Sequence, residues 1–300
     1  MPDLDDIRTF SEVVDSGSLT AAGARLGMSK SMVSRRLSRL EAELGTPLLA
    51  RSTRGMSLTE AGADFRPFAE RLVAEMQSAR DALSRDGAVT GRLRLAAPIS
   101  FGATHLSPVL AELALRHPRL EISTAYSDRQ VDLVGEGYDA AVRLGTLADS
   151  SLIARRIAPV RAVLVASPGY LARAGRPETP DDLARHDLIP HGEAPWPLER
   201  DGRTVTVRPR GRFIADNGVA ELAAVIAGLG ICLMPAFLAG PVIERGEIVT
   251  LLTDYAVPAA GLHVVRPPPA DPLPPKVRAL TEIMLEKFGA DDWDGCPRPT

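Results

Sequence analysis

Between positions 29 and 39 the chain places Ser29, Lys30, Ser31, Ser34, Arg35 and Arg39 within a few residues of one another. None of them is a nucleophile with a base beside it. They are hydrogen-bond donors and cations. Arginine can grip a guanine edge through two parallel hydrogen bonds, while serine hydroxyls and lysine hold phosphate oxygens. From Arg25 to Arg54, seven basic residues stand against two acidic ones in a chain whose net charge is −3. A basic block in an otherwise acidic protein is the electrostatic footprint of a nucleic-acid binder. A basic solvated surface is the plainer reading, so the elements carrying these residues must decide between the two.

Leu4, Ile7, Phe10 and Val13/Val14 recur at helical spacing and predict an amphipathic helix over 4–15. Ser16-Gly17-Ser18 ends it, and Ser18 is placed to cap a short second helix of small residues up to Leu26. Gly27 supplies the turn, and Ser29 caps a third helix running to about Leu44. Val33, Leu37, Leu40 and Leu44 form one stripe on it. At about 100° per residue Arg35 falls opposite that stripe, with Ser31, Ser38 and Arg39 flanking it. This is the arrangement of a helix-turn-helix. A three-helix bundle would show much the same pattern, but the continuation favours the groove reader. Gly45-Thr46-Pro47 stops the helix, and Leu48–Arg51 reads as a strand. Residues 52–56 read as a turn with a basic tip, and Ser57–Leu58 return. Such a wing places Arg54 to enter a minor groove and Arg51 to hold phosphate.

Beyond the wing, Thr59 or Ser57 caps a long helix whose apolar stripe is Phe65, Phe68, Leu72, Met76, Ala79 and Leu83. The remaining positions are mostly charged or polar. The stripe must be covered either by its own domain or by a second copy of the helix, and the second copy is the economical answer. Pro67 removes a backbone donor and predicts a kink near the start.

The first sixty residues closely resemble the LysR-type transcriptional regulators. Phe10, Val13, Gly17-Ser18-Leu19, Ala21-Ala22, Leu26, Ser29, Val33-Ser34, Leu40-Glu41, Leu44-Gly45, Pro47-Leu48, Arg51, Arg54 and Leu58-Thr59-Glu60-Ala61-Gly62 carry the resemblance. It continues more loosely to about residue 288. Ser167-Pro-Gly-Tyr-Leu171 and Leu273-Pro-Pro-Lys-Val277 are similar to its CrgA-like branch. The resemblance implies that Ser29, Lys30, Ser31, Ser34 and Arg35 face the major groove while Arg51 and Arg54 serve the wing. It implies a dimer through the long helix, often paired into a tetramer. The expected target is an interrupted palindrome near a promoter, with RNA polymerase as the expected protein partner there. Lys30 stands where the family often has glutamine or proline.

From Arg92 onward strands and helices alternate, which predicts an α/β fold with parallel sheets covered by helices. Strands are expected at 92–97, 120–125, 139–143, 159–166, 187–190, 203–214, 230–234, 247–252 and 262–266, and helices at 104–116, 217–228 and 274–288. The resemblance implies two lobes like those of a periplasmic solute-binding protein, with crossovers near 161 and 266. The expected organisation is therefore a winged head over 1–58, a dimerisation helix over 59–86 and a hinge over 87–91. Lobe 1 is expected over 92–161 with 267–288, lobe 2 over 162–266, and a flexible tail over 289–300. In such sheets ligands bind at the C-terminal ends of strands, where helix N-termini present free N–H groups. The first such turn, 98–104, offers Ser100, Phe101 and Gly102, the glycine being read as room for a ligand to approach backbone. Later strand ends offer Ser127, Gly145-Thr146 and Asp216-Asn217. His191 and His105 are further pocket candidates, although a lone histidine is more often structural. The helix dipole favours an anionic effector, whereas Asp216 would repel one.

Other classes fare worse. No G-x-S-x-G, H-E-x-x-H, Walker or G-x-G-x-x-G motif occurs, and the five histidines are scattered, so an enzyme is not expected. Two cysteines give neither a disulfide framework nor a metal spacing, and no cofactor is expected. Cys232, in an apolar run, reads as a small core residue. A solute-binding protein would fit the lobes but not the basic head. The acidic, amphipathic start is unlike an export signal, and no apolar run is long enough to span a membrane, so a cytoplasmic location is expected. The remaining alternative is an architectural or constitutive DNA binder whose pocket senses nothing.

Overall fold

In the computed structural model the described residues are 2–52, 55–83, 89–268, 273–290 and 293. The head starts with α1 (Leu4–Ser16), α2 (Leu19–Leu26) and α3 (Lys30–Leu44). Each begins on a side-chain cap: Asp3 accepts the Asp5 N–H at 3.0 Å, Ser18 that of Thr20 at 3.2 Å, and Ser29 that of Met32 at 3.3 Å. The stripes meet in one core of Ile7, Phe10, Val13, Leu19, Ala22, Val33, Leu37 and Leu40. The antiparallel hairpin β1 (Leu49–Ser52) and β2 (Gly55–Leu58) forms the wing, as expected. The Glu41 carboxylate fixes its entry, accepting the Leu48 and Leu49 N–H groups at 2.8 and 3.1 Å.

Thr59 starts α4 (Glu60–Leu83), accepting the Gly62 N–H at 3.0 Å. A Cβ on Gly62 would lie 2.0 Å from the Leu48 carbonyl oxygen, so only glycine lets α4 pass this close to the wing. The helix continues through Pro67 without ending. Phe65, expected on the dimer stripe, is instead half-buried beside Phe10, with ring centroids 5.5 Å apart. It belongs to the head core, because the first turns of α4 pack on α1. Residues 84–88, and with them positions 87 and 88 of the expected hinge, lie outside the described residues, as does most of the tail.

Two α/β lobes follow. Lobe 1 opens with β3 (Gly91–Ala97) and a continuous helical run of α5 (Ile99–Phe101), a π turn (Gly102–Leu106) and α6 (Ser107–Arg116). It goes on through β4 (Leu120–Tyr126), β5 (Ala140–Gly145) and β6 (Ile153–Val160). Lobe 2 holds β7 (Ala162–Ala166), α7 (Pro168–Ala174), β8 (Trp196–Arg200), β9 (Arg203–Val207), α8 (Gly218–Ile226), β10 (Cys232–Pro235), α9 (Ala236–Glu244) and β11 (Val249–Leu251). The chain then returns to lobe 1 with β12 (Ala260–Arg266) and α10 (Pro275–Phe288).

The first crossover falls at Arg161, where the expected strand over 159–166 splits between the two lobes. The second falls between Leu251 and Ala260 rather than near 266. The reason is that β12 is a central strand of lobe 1, ordered β4-β3-β5-β12-β6, with Leu262, Val264 and Val265 buried. The sheets are also not parallel throughout: that of lobe 1 is mixed and that of lobe 2 antiparallel. β3 runs parallel to β4 and β5, but β12 comes back from the other lobe antiparallel to β5 and β6. In lobe 2 both β10 and β11 are antiparallel to β7. The strand expected over 187–190 reduces to a bridge between Leu188 and Ile231. The one expected over 203–214 ends at Val207, two residues before Pro209.

The head is tied to lobe 1 by charge. Asp15 on α1 meets Arg66 at 3.4 Å and also Arg92, while Glu70 meets Arg66 at 2.8 Å and also Arg94. Behind Arg92, the buried Lys276 holds Asp139 at 2.6 Å and donates to the Arg92 carbonyl at 2.7 Å.

Candidate DNA interface and effector cleft

The face of α3 opposite the Val33/Leu37/Leu40 core carries Ser31 and Arg35, and both are exposed. Ser29 and Lys30, exposed at the helix start, extend this face. The Ser29 and Ser31 hydroxyls lie 2.9 Å apart, so the cap presents two hydroxyls together. Ser34 sits half-buried beside them. Among the described residues no acidic partner neutralises Lys30 or Arg35. The backbone of Arg51 lies in β1, whereas Arg54 lies outside the described residues.

Arg39 departs from the expectation. It forms a bidentate pair with Asp6, Nε and Nη2 reaching the carboxylate at 2.5 and 2.6 Å, and Asp6 is 1% exposed. A buried carboxylate needs its counter-charge, so this half-exposed arginine is held by α1. Arg36 bonds Asp5 at 3.2 Å and Arg25 bonds Glu12 at 2.9 Å in the same way. Three of the basic residues that make the head look positive thus lock α1 to α2 and α3. The acidic first turn of α1 is the sequence signal for this, and it sits thirty residues away from its partners.

Between the lobes lies a cleft of about 540 Å³. Ser100, Ser127, Gly145 and Thr146 line it, where the strand-end argument puts them, as does the separate candidate His191, together with apolar groups including Val131, Leu233 and Leu238. Four expected residues, Phe101, Gly102, Asp216 and Asn217, do not line it, and neither does His105. Phe101 is fully buried in an aromatic cluster with Phe237, Phe288 and Trp293, at centroid distances of 5.6, 5.3 and 5.9 Å. Gly102 does not make room for a ligand. A Cβ there would meet the Tyr126 ring at 2.3 Å, so the glycine exists to seat that ring, whose hydroxyl lies 2.6 Å from that of Ser107. His105 joins the aromatic cluster, 4.9 Å from Phe237, and burial pushes its pKa down. Asp216 is exposed. Asn217 caps α8, accepting the Val219 and Ala220 N–H groups at 2.8 and 3.2 Å.

Two carboxylates that line the cleft were not anticipated. Glu221, 2% exposed on α8, lies 2.7 Å from the half-exposed His191 Nδ1. Asp128 receives the Ile99 N–H at 3.0 Å and the Asn217 side-chain amide at 2.6 Å. Cys232 is buried beside Glu221, and desolvation with that charge pushes its thiol up, leaving it an inert core residue.

The hydrogen bond that the His191 ring donates to Glu221, and then the Glu221 charge, raise the His191 pKa against the opposing effect of burial. A group whose folded pKa is raised stabilises the fold fully below its unfolded value, near 6.5, and loses that contribution as pH rises through the raised value. The thermal stability advantage of the parent over His191→Gln is therefore expected to shrink between pH 6 and pH 8. Thermal melts at several pH values check this, and a constant difference would mean that the pair does not titrate in that window.

A winged helix-turn-helix joined by a long helix to two α/β lobes around a cleft is the build of a DNA-binding regulator with an effector-binding domain. Residues 4–63 match the bacterial regulatory helix-turn-helix protein, lysR family, and residues 86–289 match the LysR substrate binding domain. The chain is 38% identical over 293 residues to the HTH-type transcriptional regulator PtxR of Pseudomonas aeruginosa, covering 96% of this chain and 94% of that one. A full-length AphB variant superposes with a TM-score of 0.66 at 31% identity, covering 95% of this chain and 99% of that one. CrgA, a LysR-type regulator from Neisseria meningitidis, does so with 0.60 at 29% identity over the same shares. The protein belongs to the LysR family of transcriptional regulators. Among the described residues no helix is long and apolar enough to cross a membrane, and no metal-holding cluster occurs.

Proposed function

We propose that this regulator works in the cytoplasm and reads an interrupted palindrome through Ser29, Lys30, Ser31, Ser34 and Arg35 in the major groove. Arg51 and Arg54 on the wing hold the flanking backbone and minor groove. Two copies pair through the α4 stripe, where Phe68, Leu72 and Met76 are 56%, 45% and 41% exposed in the single chain. Leu83, at the same helical spacing in the sequence, is the last residue of α4. A small molecule entering the cleft changes lobe closure, and with it the angle between paired heads and the half-sites they reach near a promoter, where RNA polymerase is met. For this to be allostery, the effector must bind the two arrangements with different affinity.

The observation carrying this reading is the division of labour on α3. Its apolar side is the head core and its opposite side presents exposed serines, a lysine and an arginine, while the other nearby arginines are neutralised by α1. Selection from random duplex DNA with the purified full-length chain tests it. Enrichment of a two-fold symmetric, interrupted site is expected. Enrichment of no sequence at all would remove the operator-reading proposal.

A further inference from the structure

A helix N-terminus at a strand end calls for an anion, since its first N–H groups have no intrahelical acceptor and the dipole is positive there. In this cleft that demand is already met. The helical run 99–116 begins in lobe 1, and its first amide, Ile99 N–H, donates to Asp128 Oδ1 at 3.0 Å. The second oxygen of the same carboxylate accepts from Asn217 Nδ2 at 2.6 Å. Asn217 is the lobe 2 residue whose other side-chain atom caps α8. One carboxylate thus joins the start of a lobe 1 helix to the start of a lobe 2 helix, with a charge-assisted bond to each.

We propose that Asp128 is a built-in anion. It fills the subsite that an effector carboxylate would otherwise take, and it latches the two lobes across the cleft. The surroundings agree. Arg129, next in sequence, is turned away onto Glu136, with bonds of 2.9 and 2.5 Å. Arg143 donates to the Val131 carbonyl at 3.3 Å, and His191 faces Glu221. The loop itself is pinned by the Ser127 N–H to the Ala97 carbonyl at 2.9 Å. A ligand carboxylate aimed at this corner would meet Asp128 head-on, so the group an effector presents here is a hydrogen-bond donor, such as an amine or hydroxyl. This inference rests on the reading of the cleft as the effector site, but its test needs neither DNA nor the effector.

The test removes the carboxylate and offers it back. In full-length Asp128→Ala, amide exchange at Ile99 is expected to quicken about tenfold, as loss of a charge-assisted bond implies. Sodium acetate should slow it again, while sodium chloride at equal ionic strength should not. The parent should show no acetate-specific change. No acetate-specific protection in the variant, or an equal acetate effect in the parent, would overturn the proposal. Asp128→Asn keeps the volume and serves if the alanine variant fails to fold. It should also quicken exchange at Ile99 and at Val219–Ala220, and exchange like the parent's would overturn the latch. Failure of the regulator reading would show separately, as no enriched DNA site.

Discussion

Arg35→Ala is expected to weaken binding to the selected operator by about 1–3 kcal/mol and to relax the preference at one base pair of each half-site. Arg35 is the arginine of α3 that points away from the core and has no acidic partner among the described residues. A bidentate contact to a guanine edge is worth that much, and losing it removes discrimination as well as affinity. Arg39→Ala, four residues along the same helix, is the control. It should leave base preference intact and instead lower the melting temperature of the head, because it strands the buried Asp6 carboxylate. Titrations of both variants against the operator and its single-base mutants separate the two roles. Equal loss of specificity in both would show that the division between reading and bracing is misplaced.

The combined substitution Leu72→Glu and Met76→Glu is expected to convert the protein to a monomer and to cost about 10²–10⁴-fold in operator affinity. That is the gain linking two reading modules brings. These two residues and Phe68 are the exposed members of the α4 stripe among the described side chains. One face of Phe68 is already covered by the Arg71 guanidinium, 4.6 Å from the ring centroid. Phe65 is excluded from the substitution because it packs on Phe10, so changing it would damage the head. Sedimentation velocity gives the assembly state and a binding titration the affinity. An unchanged assembly in the double variant would place the self-association surface elsewhere.

The head was legible because its signals are local. Caps at Ser18 and Ser29, the Val33/Leu37/Leu40 stripe and the turn over 45–47 each act within a few residues, and together they allow little but a winged helix-turn-helix. The two-lobed build was legible through strand–helix alternation and the family resemblance. The strand directions were not, because direction depends on which lobe a strand returns to. The buried apolar run of β12 looks the same whether it pairs with lobe 1 or lobe 2. The site divided along the same line. The cleft positions of Ser100, Ser127, Gly145 and Thr146 were legible from strand ends, whereas His191 was a lone histidine with no such argument behind it. Arg39 was misread because its partner Asp6 lies far away in sequence. Phe101 and Gly102 were misread because the helix direction beyond β3 and the stacking of Tyr126 are tertiary facts. Asp128 and Glu221 went unnoticed for the same reason. A carboxylate in a loop or on a helix carries no local mark of the N–H or imidazole it will face.

The central claim is that α3 of a paired head reads DNA sequence through an electrostatically driven contact. The measurement that tests it most directly is the affinity of the intact protein for its selected operator and for a scrambled duplex, across a salt series. Binding to the operator at least ~10³-fold tighter than to the scrambled duplex is expected, with affinity that falls steeply with salt on both. Equal affinity for the two sequences, or binding indifferent to salt, would contradict that claim.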